Sequence, residues 1–256
     1  MTVEKLGKAF PNAVTNAELI TKVTRALNRY GYDEKTLVAF SLCADEVNRP
    51  LEETFNGWYG EHFNLGGLAG FPFSGVTGFG AFASHIPDGG SCLLVYGPHV
   101  GIDSNGAVGK VDRKGKSKTS SCCGSAVAAS KYITAVYKGE AEKVGPPTDS
   151  VDAQQNYVAA ALLPYGERIV KADDPMVELP FATYEPIDSM MQRIVGKVKT
   201  GGKVAMLGGL QINTPRGVSD YFLPLRFDIR DGKTGEIIED LSWKRNVGSE
   251  SRRRIT

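Results

Sequence analysis

Two patterns of apolar residues run along this chain. Short unbroken apolar runs, bounded by glycine, proline or charge, read as strands buried on both faces. Thr36–Leu42, Ser91–Tyr96 and Lys203–Leu207 are of this kind. Other segments return to an apolar residue every three or four positions, the mark of an amphipathic helix. Asn16–Arg29 carries Leu19, Ile20, Val23 and Leu27 on that spacing, with Thr15 or Asn16 as N-cap and Gly31 as a stop. Gly124–Val136, Asp152–Leu163 (Tyr157, Ala160 and Ala161 on one side) and Ile187–Val198 are further helices. Val100–Val111 reads as a hairpin turning at Ser104–Asn105–Gly106, and Lys110–Lys118 as a charged, flexible connector. Tyr221–Arg230 is a strand, Asp231–Gly235 a turn, and Glu236–Trp243 an antiparallel edge or interface partner. Strands alternating with helices predict an α/β fold: a central, mostly parallel sheet flanked by helices, with an antiparallel hairpin added.

Candidate chemistry sits where the apolar runs end. Leu37–Arg49, LVAFSLCADEVNR, leaves a buried strand at Cys43 and then offers Asp45 and Arg49. Open α/β sheets place their chemistry at that carboxyl end. Ser91–His99 ends its apolar run on His99, and Cys122 and Cys123 precede the helix from Gly124. A thiolate at a helix start gains from the partial positive charge there. Cys43, His99 and one of Cys122 and Cys123 supply the two sulfurs and one imidazole of a catalytic zinc site, which keeps a fourth position open. Asp45, paired with Arg49, is placed to orient a water at that position. His62 and His85 are spare imidazoles, and His85 is the candidate for a proton-transfer or pocket role. Pro50 stops a helix from running unbroken through Arg49 but suits a first helical turn. Asn64–Gly90 is rich in glycine and nearly free of charge, and Phe71, Phe73, Phe79 and Phe82 give it an apolar wall. It reads as a tightly turned buried loop and as the floor of a dry pocket.

Composition narrows the function classes. Thirty basic residues against 29 acidic ones give a net charge of +1, with no basic excess for nucleic acid or an anionic membrane. The chain's 256 residues suffice for a large core without disulfides. Adjacent Cys122 and Cys123, and Cys92 inside an apolar run, make a disulfide framework a poor fit and a reducing interior a better one. No apolar run nears the ~20 residues of a membrane-spanning helix, and Met1–Pro11 lacks the apolar core of a secretory signal.

The stretches CADEVNR, GGLAGFPFSGVTGFGAFASHIPDGG, YGPHVGI and SCCGSA together resemble the limiting-CO2-inducible protein B family, which is similar to the β-carbonic anhydrases and is also called the θ class. The likeness runs from about Asn16 to Trp243 and takes in KVAMLGGLQINT and DYFLPLRFDIR. It implies one β-carbonic anhydrase-like domain over 1–256: a helical arm to about 34, a core from 35 to 243, and a basic tail over 244–256. The implied activity is reversible hydration of CO2 to bicarbonate by zinc-activated water. Cys43 and Asp45 match Cys-x-Asp-x-Arg, with Arg49 two positions late. His99 and Cys123–Gly124 match His-x-x-Cys-Gly across an insertion from Val100 to Cys122, and Cys123 is preferred because Gly124 and the helix follow it. The resemblance further implies Leu68, Phe71, Phe73 and Val76 as the CO2 wall, His85 as a proton exit, a homodimer, and residence in cytoplasm or chloroplast stroma. A catalytically inactive homologue that binds inorganic carbon, or serves assembly in a CO2-concentrating system, is the rival. A zinc-dependent hydrolase lacks a visible general-base motif.

Overall fold

The computed structural model describes residues 2–143 and 150–242. Helix α1 (Thr2–Ala9) leads into β1 (Val14–Thr15), α2 (Asn16–Asn28) and β2 (Leu37–Ser41). Next come α3 (Arg49–Tyr59), β3 (His62–Asn64), α4 (Gly75–Ser84), β4 (Cys92–Tyr96) and β5 (His99–Gly101). A small hairpin, β6 (Lys110–Val111) with β7 (Ser120–Ser121), precedes α5 (Gly124–Tyr137), α6 (Ala153–Leu162) and α7 (Gly166–Val170). The chain continues through α8 (Pro175–Val195), β8 (Lys203–Asn213), β9 (Tyr221–Asp231) and β10 (Ile237–Asp240).

One eight-stranded sheet organises the molecule, in the order β1-β9-β8-β4-β2-β3, with β10 on β9 and β5 on β8. β3, β2, β4 and β8 run parallel, as does β5 beside β8, whereas β9 is antiparallel to β8, β1 and β10. The mostly parallel α/β sheet with an antiparallel addition is therefore as expected. Every residue of β4 is buried, which is why its sequence is apolar without alternation. Two apolar clusters cover the two faces. Leu19, Val23 and Leu27 of α2 and Leu51 and Phe55 of α3 pack with Phe40, Leu93 and Leu207 on one. Helices α4, α5, α6 and α8 pack on the other, against Leu94, Tyr96 and Met206. Helix α2 opens with a capping box: Thr15 Oγ1 accepts from the Glu18 N–H at 3.2 Å, and the Glu18 carboxylate accepts from the Thr15 N–H at 3.1 Å.

Three expectations need correction. Part of the glycine-rich stretch is not loop but helix α4, which buries Phe79 and Phe82. Helix α8 starts well before Ile187, because Asp174 caps it, accepting from Met176 and Val177 N–H, and Pro175 fits its first turn. Lys110–Lys118 is not a simple connector, since it enters β6 and returns through β7. The basic tail over 244–256 and Trp243 lie outside the described residues.

Two glycines set the backbone around the site. Gly97 links β4 to β5 at φ 144°, and a Cβ there would stand 1.8 Å from the Gly209 carbonyl oxygen. Gly101, at the end of β5, lies so close to Lys110 that a Cβ would meet its carbonyl oxygen at 2.3 Å. Around Gly101 the chain leaves and returns at one point. Gly109 N–H donates to the Gly101 carbonyl at 2.8 Å, Cys122 N–H to the Gly109 carbonyl at 3.0 Å, and Gly101 N–H to the Cys122 carbonyl at 3.3 Å.

Candidate metal centre

The carboxyl end of β2 delivers Cys43, β5 delivers His99, and the start of α5 delivers Cys123. Their donor atoms all lie within 4.8 Å of one another and all three residues are buried. The two sulfurs are 3.7 Å apart, close to the roughly 3.8 Å that separates two thiolates on one tetrahedral zinc. His99 Nδ1 bonds Asn213 Oδ1 at 2.8 Å, whereas Nε2 is fully buried and has no hydrogen-bond partner among the described residues. A buried imidazole nitrogen left bare costs free energy unless something binds it. Two soft sulfurs and that nitrogen are the donor set of zinc, so the residues present fit the metal. A second grouping within the same span, Asp45, His99 and Cys122, shares the histidine.

The clustered groups shift one another's protonation in different directions. The hydrogen bond with Cys123, then burial, push the Cys43 thiol up. That same bond lowers Cys123, against burial and with help from the Ala126 and Ser125 N–H groups at the α5 start. Burial opposes a charged His99, yet the thiols of Cys122 and Cys43 raise it well above its usual value. Burial would also raise Asp45, but hydrogen bonds from Arg113 and the nearby His99 hold it down at about 2. The Asp45 Oδ2 stands 4.0 Å from His99 Nε2.

The cation on Asp45 is Arg113, not Arg49. Arg113 Nη2 and Nη1 reach Asp45 Oδ2 and Oδ1 at 2.7 and 2.9 Å, a bidentate pairing, and Nη1 also bonds Glu46. Ser120 of β7 holds the same guanidinium through Nε at 2.8 Å. Arg49 turns the other way, onto Glu52 at 2.6 Å, because both lie on one face of α3 three residues apart. It keeps a single 3.4 Å bond to the Cys43 carbonyl. Sequence reasoning missed Arg113, which sits in the run DRKGKSK and looks like solvated charge. The usable signal was its place in the insertion between His99 and Cys123.

The other expected site residues divide. Leu68, Phe71 and Phe73 join the apolar cluster that holds Cys43 and Cys123, and Tyr157 packs edge-on against both phenylalanines with centroids 5.5 Å away. Val76 is 42% exposed on α4 and adds nothing to that wall. His85 caps the end of α4 in an exposed position, with its ring 6.0 Å from Phe63 and no place among the donors. His62 bonds Asn56 at 2.7 Å beneath α3. Behind the donors, His99, Cys122, Cys123, Ala126, Met176 and Pro180 enclose part of a cavity of about 10 Å³, room for about one water.

The chain is similar to solved proteins over most of its length. It matches the crystal structure of PtLCIB4, a homolog of the limiting CO2-inducible protein LCIB, with a TM-score of 0.88 and 48% identity, covering 94% of this chain and 100% of that one. The crystal structure of LCIB matches at a TM-score of 0.71 and 22% identity, over 91% of this chain and 96% of that one, a likeness of fold. Comparison with curated proteins finds no match. Residues 13–231 match the family described as limiting CO2-inducible proteins B/C, beta carbonic anhydrases. With that match spanning most of the sequence, this chain belongs to the limiting CO2-inducible protein B/C family of beta carbonic anhydrases.

Proposed function

We propose that this protein is a zinc-dependent carbonic anhydrase that interconverts CO2 and bicarbonate, with Cys43, His99 and Cys123 as metal ligands. The observation that carries the reading is the buried, unpartnered His99 Nε2 beside two thiols in a chain of this family. When bound, zinc supplies the Lewis acidity that brings the pKa of water from ~15.7 to near 7. Asp45, ionised at neutral pH, accepts the hydrogen bond of a water at the centre and aims its lone pair. Arg113 keeps that carboxylate charged and fixed. Leu68, Phe71 and Phe73 form the apolar side, where CO2 sheds its water before reacting. The homodimer implied by the family likeness belongs to the same reading, and light scattering on the eluted protein measures it.

Elemental analysis together with stopped-flow acidification by CO2 tests the assignment. One zinc per chain and a hydration rate far above background are expected, with both lost in Cys43→Ser, His99→Ala and Cys123→Ser. Zinc-replete protein no faster than the uncatalysed reaction would favour the inactive, carbon-binding homologue. Full activity in those variants would dismiss the ligand set.

A further inference from the structure

Asn213 ends β8 at 1% exposure, and its neighbours dictate how its amide is turned. Nδ2 donates to the Val47 main-chain carbonyl at 2.9 Å and to Asp220 Oδ2 at 3.4 Å. A main-chain carbonyl can only accept, so reversing the amide would set two oxygens against each other. Oδ1 therefore faces His99, and the Nδ1 that it meets at 2.8 Å carries the hydrogen. A neutral imidazole protonated at Nδ1 has its lone pair at Nε2, the buried atom without a hydrogen-bond partner among the described residues. Cys122 completes the arrangement. Its thiol lies 3.7 Å from the same Asn213 oxygen, which has a second lone pair to accept it.

The same amide also reaches the other half of the site. Val47, whose carbonyl it holds, gives its N–H to Asp45 Oδ1 at 3.4 Å. Asn48, fully buried in the same turn, ties the Cys43 carbonyl at 3.2 Å. One side chain from β8 thus fastens the imidazole on one side and the turn carrying Cys43 and Asp45 on the other. Asn213 also lies in the lining of a groove of about 510 Å³, with Val47, Asp112, Thr214 and Asp220. It stands between that open groove and the histidine.

We propose that Asn213 is a positioning residue for the metal centre: it selects the His99 tautomer that leaves Nε2 for the metal, and it couples that choice to the placement of the Asp45 turn. This rests on the metal-centre reading above. Ligand histidines anchored this way lose about 10- to 100-fold in metal affinity when the anchor is removed.

The test uses the full chain and cobalt(II) as a spectroscopic probe, with affinity read by chelator competition. Asn213→Leu removes the hydrogen bonds to His99, Cys122, Val47 and Asp220 together, and we expect a loss of about 10- to 100-fold in affinity with a changed cobalt absorption spectrum. Asn213→Asp keeps an acceptor for Nδ1 but gives up the donor to Val47. It should hold cobalt within a few-fold of wild type while kcat falls and KM stays. Independently of any variant, isotope-labelled histidine in the wild-type protein should show His99 protonated at Nδ1 and, with NMR-active cadmium, metal coupling to Nε2. Cadmium coupling to Nδ1, or wild-type cobalt affinity and spectrum in a folded Asn213→Leu protein, would overturn this proposal alone. Failure of the wild type to bind cobalt at all would overturn the metal-centre reading and the proposal with it.

Discussion

Arg49 follows Asp45 within the same short segment, whereas Arg113 is 68 positions away in the chain. The near arginine is captured by its helical neighbour Glu52, and the distant one reaches the carboxylate with two nitrogens. Exchange of either for alanine therefore separates them. Arg113→Ala should lower kcat/KM for CO2 hydration by about 10- to 100-fold, while Arg49→Ala should stay within a few-fold of wild type. Equal losses in stopped-flow assays would mean that the Asp45 pairing does not matter for turnover. Cys43 and His99 were legible in the sequence because each ends or closely follows an apolar run. Cys123 was legible through the helix behind it. Arg113 was hidden because nothing local distinguishes an arginine that finds a half-buried carboxylate from its neighbours Lys114, Lys116 and Lys118.

At the scale of elements, strands read more easily than helices. β2 and β4 are buried along nearly their whole length, so burial itself wrote their apolar runs. Helix α8 is harder to read, since Pro180 and Pro186 lie inside it and proline normally breaks a helix. Its packing outweighs that penalty: Leu179, Ala182, Ile187 and Met191 are buried in the core. The helix also supplies Asp188, which gathers bonds from Tyr96 of β4 at 2.6 Å, Arg226 of β9 at 2.7 Å and Gln192 at 2.8 Å. Burial would raise the Asp188 carboxyl, but Arg226 and then Tyr96 outweigh it and lower it. An unfolded aspartate titrates near 3.9, so Asp188 contributes its full stabilisation above about pH 4. As pH falls, the unfolded chain takes up its proton first, and the contribution drains away until the lower folded value is passed. Urea midpoints between about pH 5 and pH 2 should fall more steeply for wild type than for Asp188→Asn. Parallel curves would remove Asp188 from the acid response. In the same layer, Leu94→Ala, at a fully buried position of β4, should cost about 2–5 kcal/mol in denaturant unfolding.

For the whole molecule, the order of strands and helices carried the fold, because an alternation of buried strands and amphipathic helices admits few layered solutions. The meeting of the three donors was not legible from spacing, since Cys43 follows β2, His99 opens β5 and Cys123 caps the start of α5, and only the folded sheet with its helix brings these three points together. A metal held as proposed would therefore clamp three separate parts of one sheet-and-helix unit and should stabilise all of it. Free zinc at one hundred times its dissociation constant should add about 2.7 kcal/mol to unfolding free energy, and a chelator should take it away. An unfolding midpoint indifferent to zinc would show that metal does not bind the folded centre preferentially. The knot of main-chain bonds at Gly101, Gly109 and Cys122 has a further consequence. Since the excursion departs and rejoins through one stitched seam, its outer reaches can lengthen or shrink while imidazole and sulfur keep their stations, loop length being a mild entropic matter. What such remodelling must spare is the reach of a single guanidinium back over the seam. The donor cluster and its electrostatic trim are thereby separable inheritances, one held by the sheet and one carried on an arm.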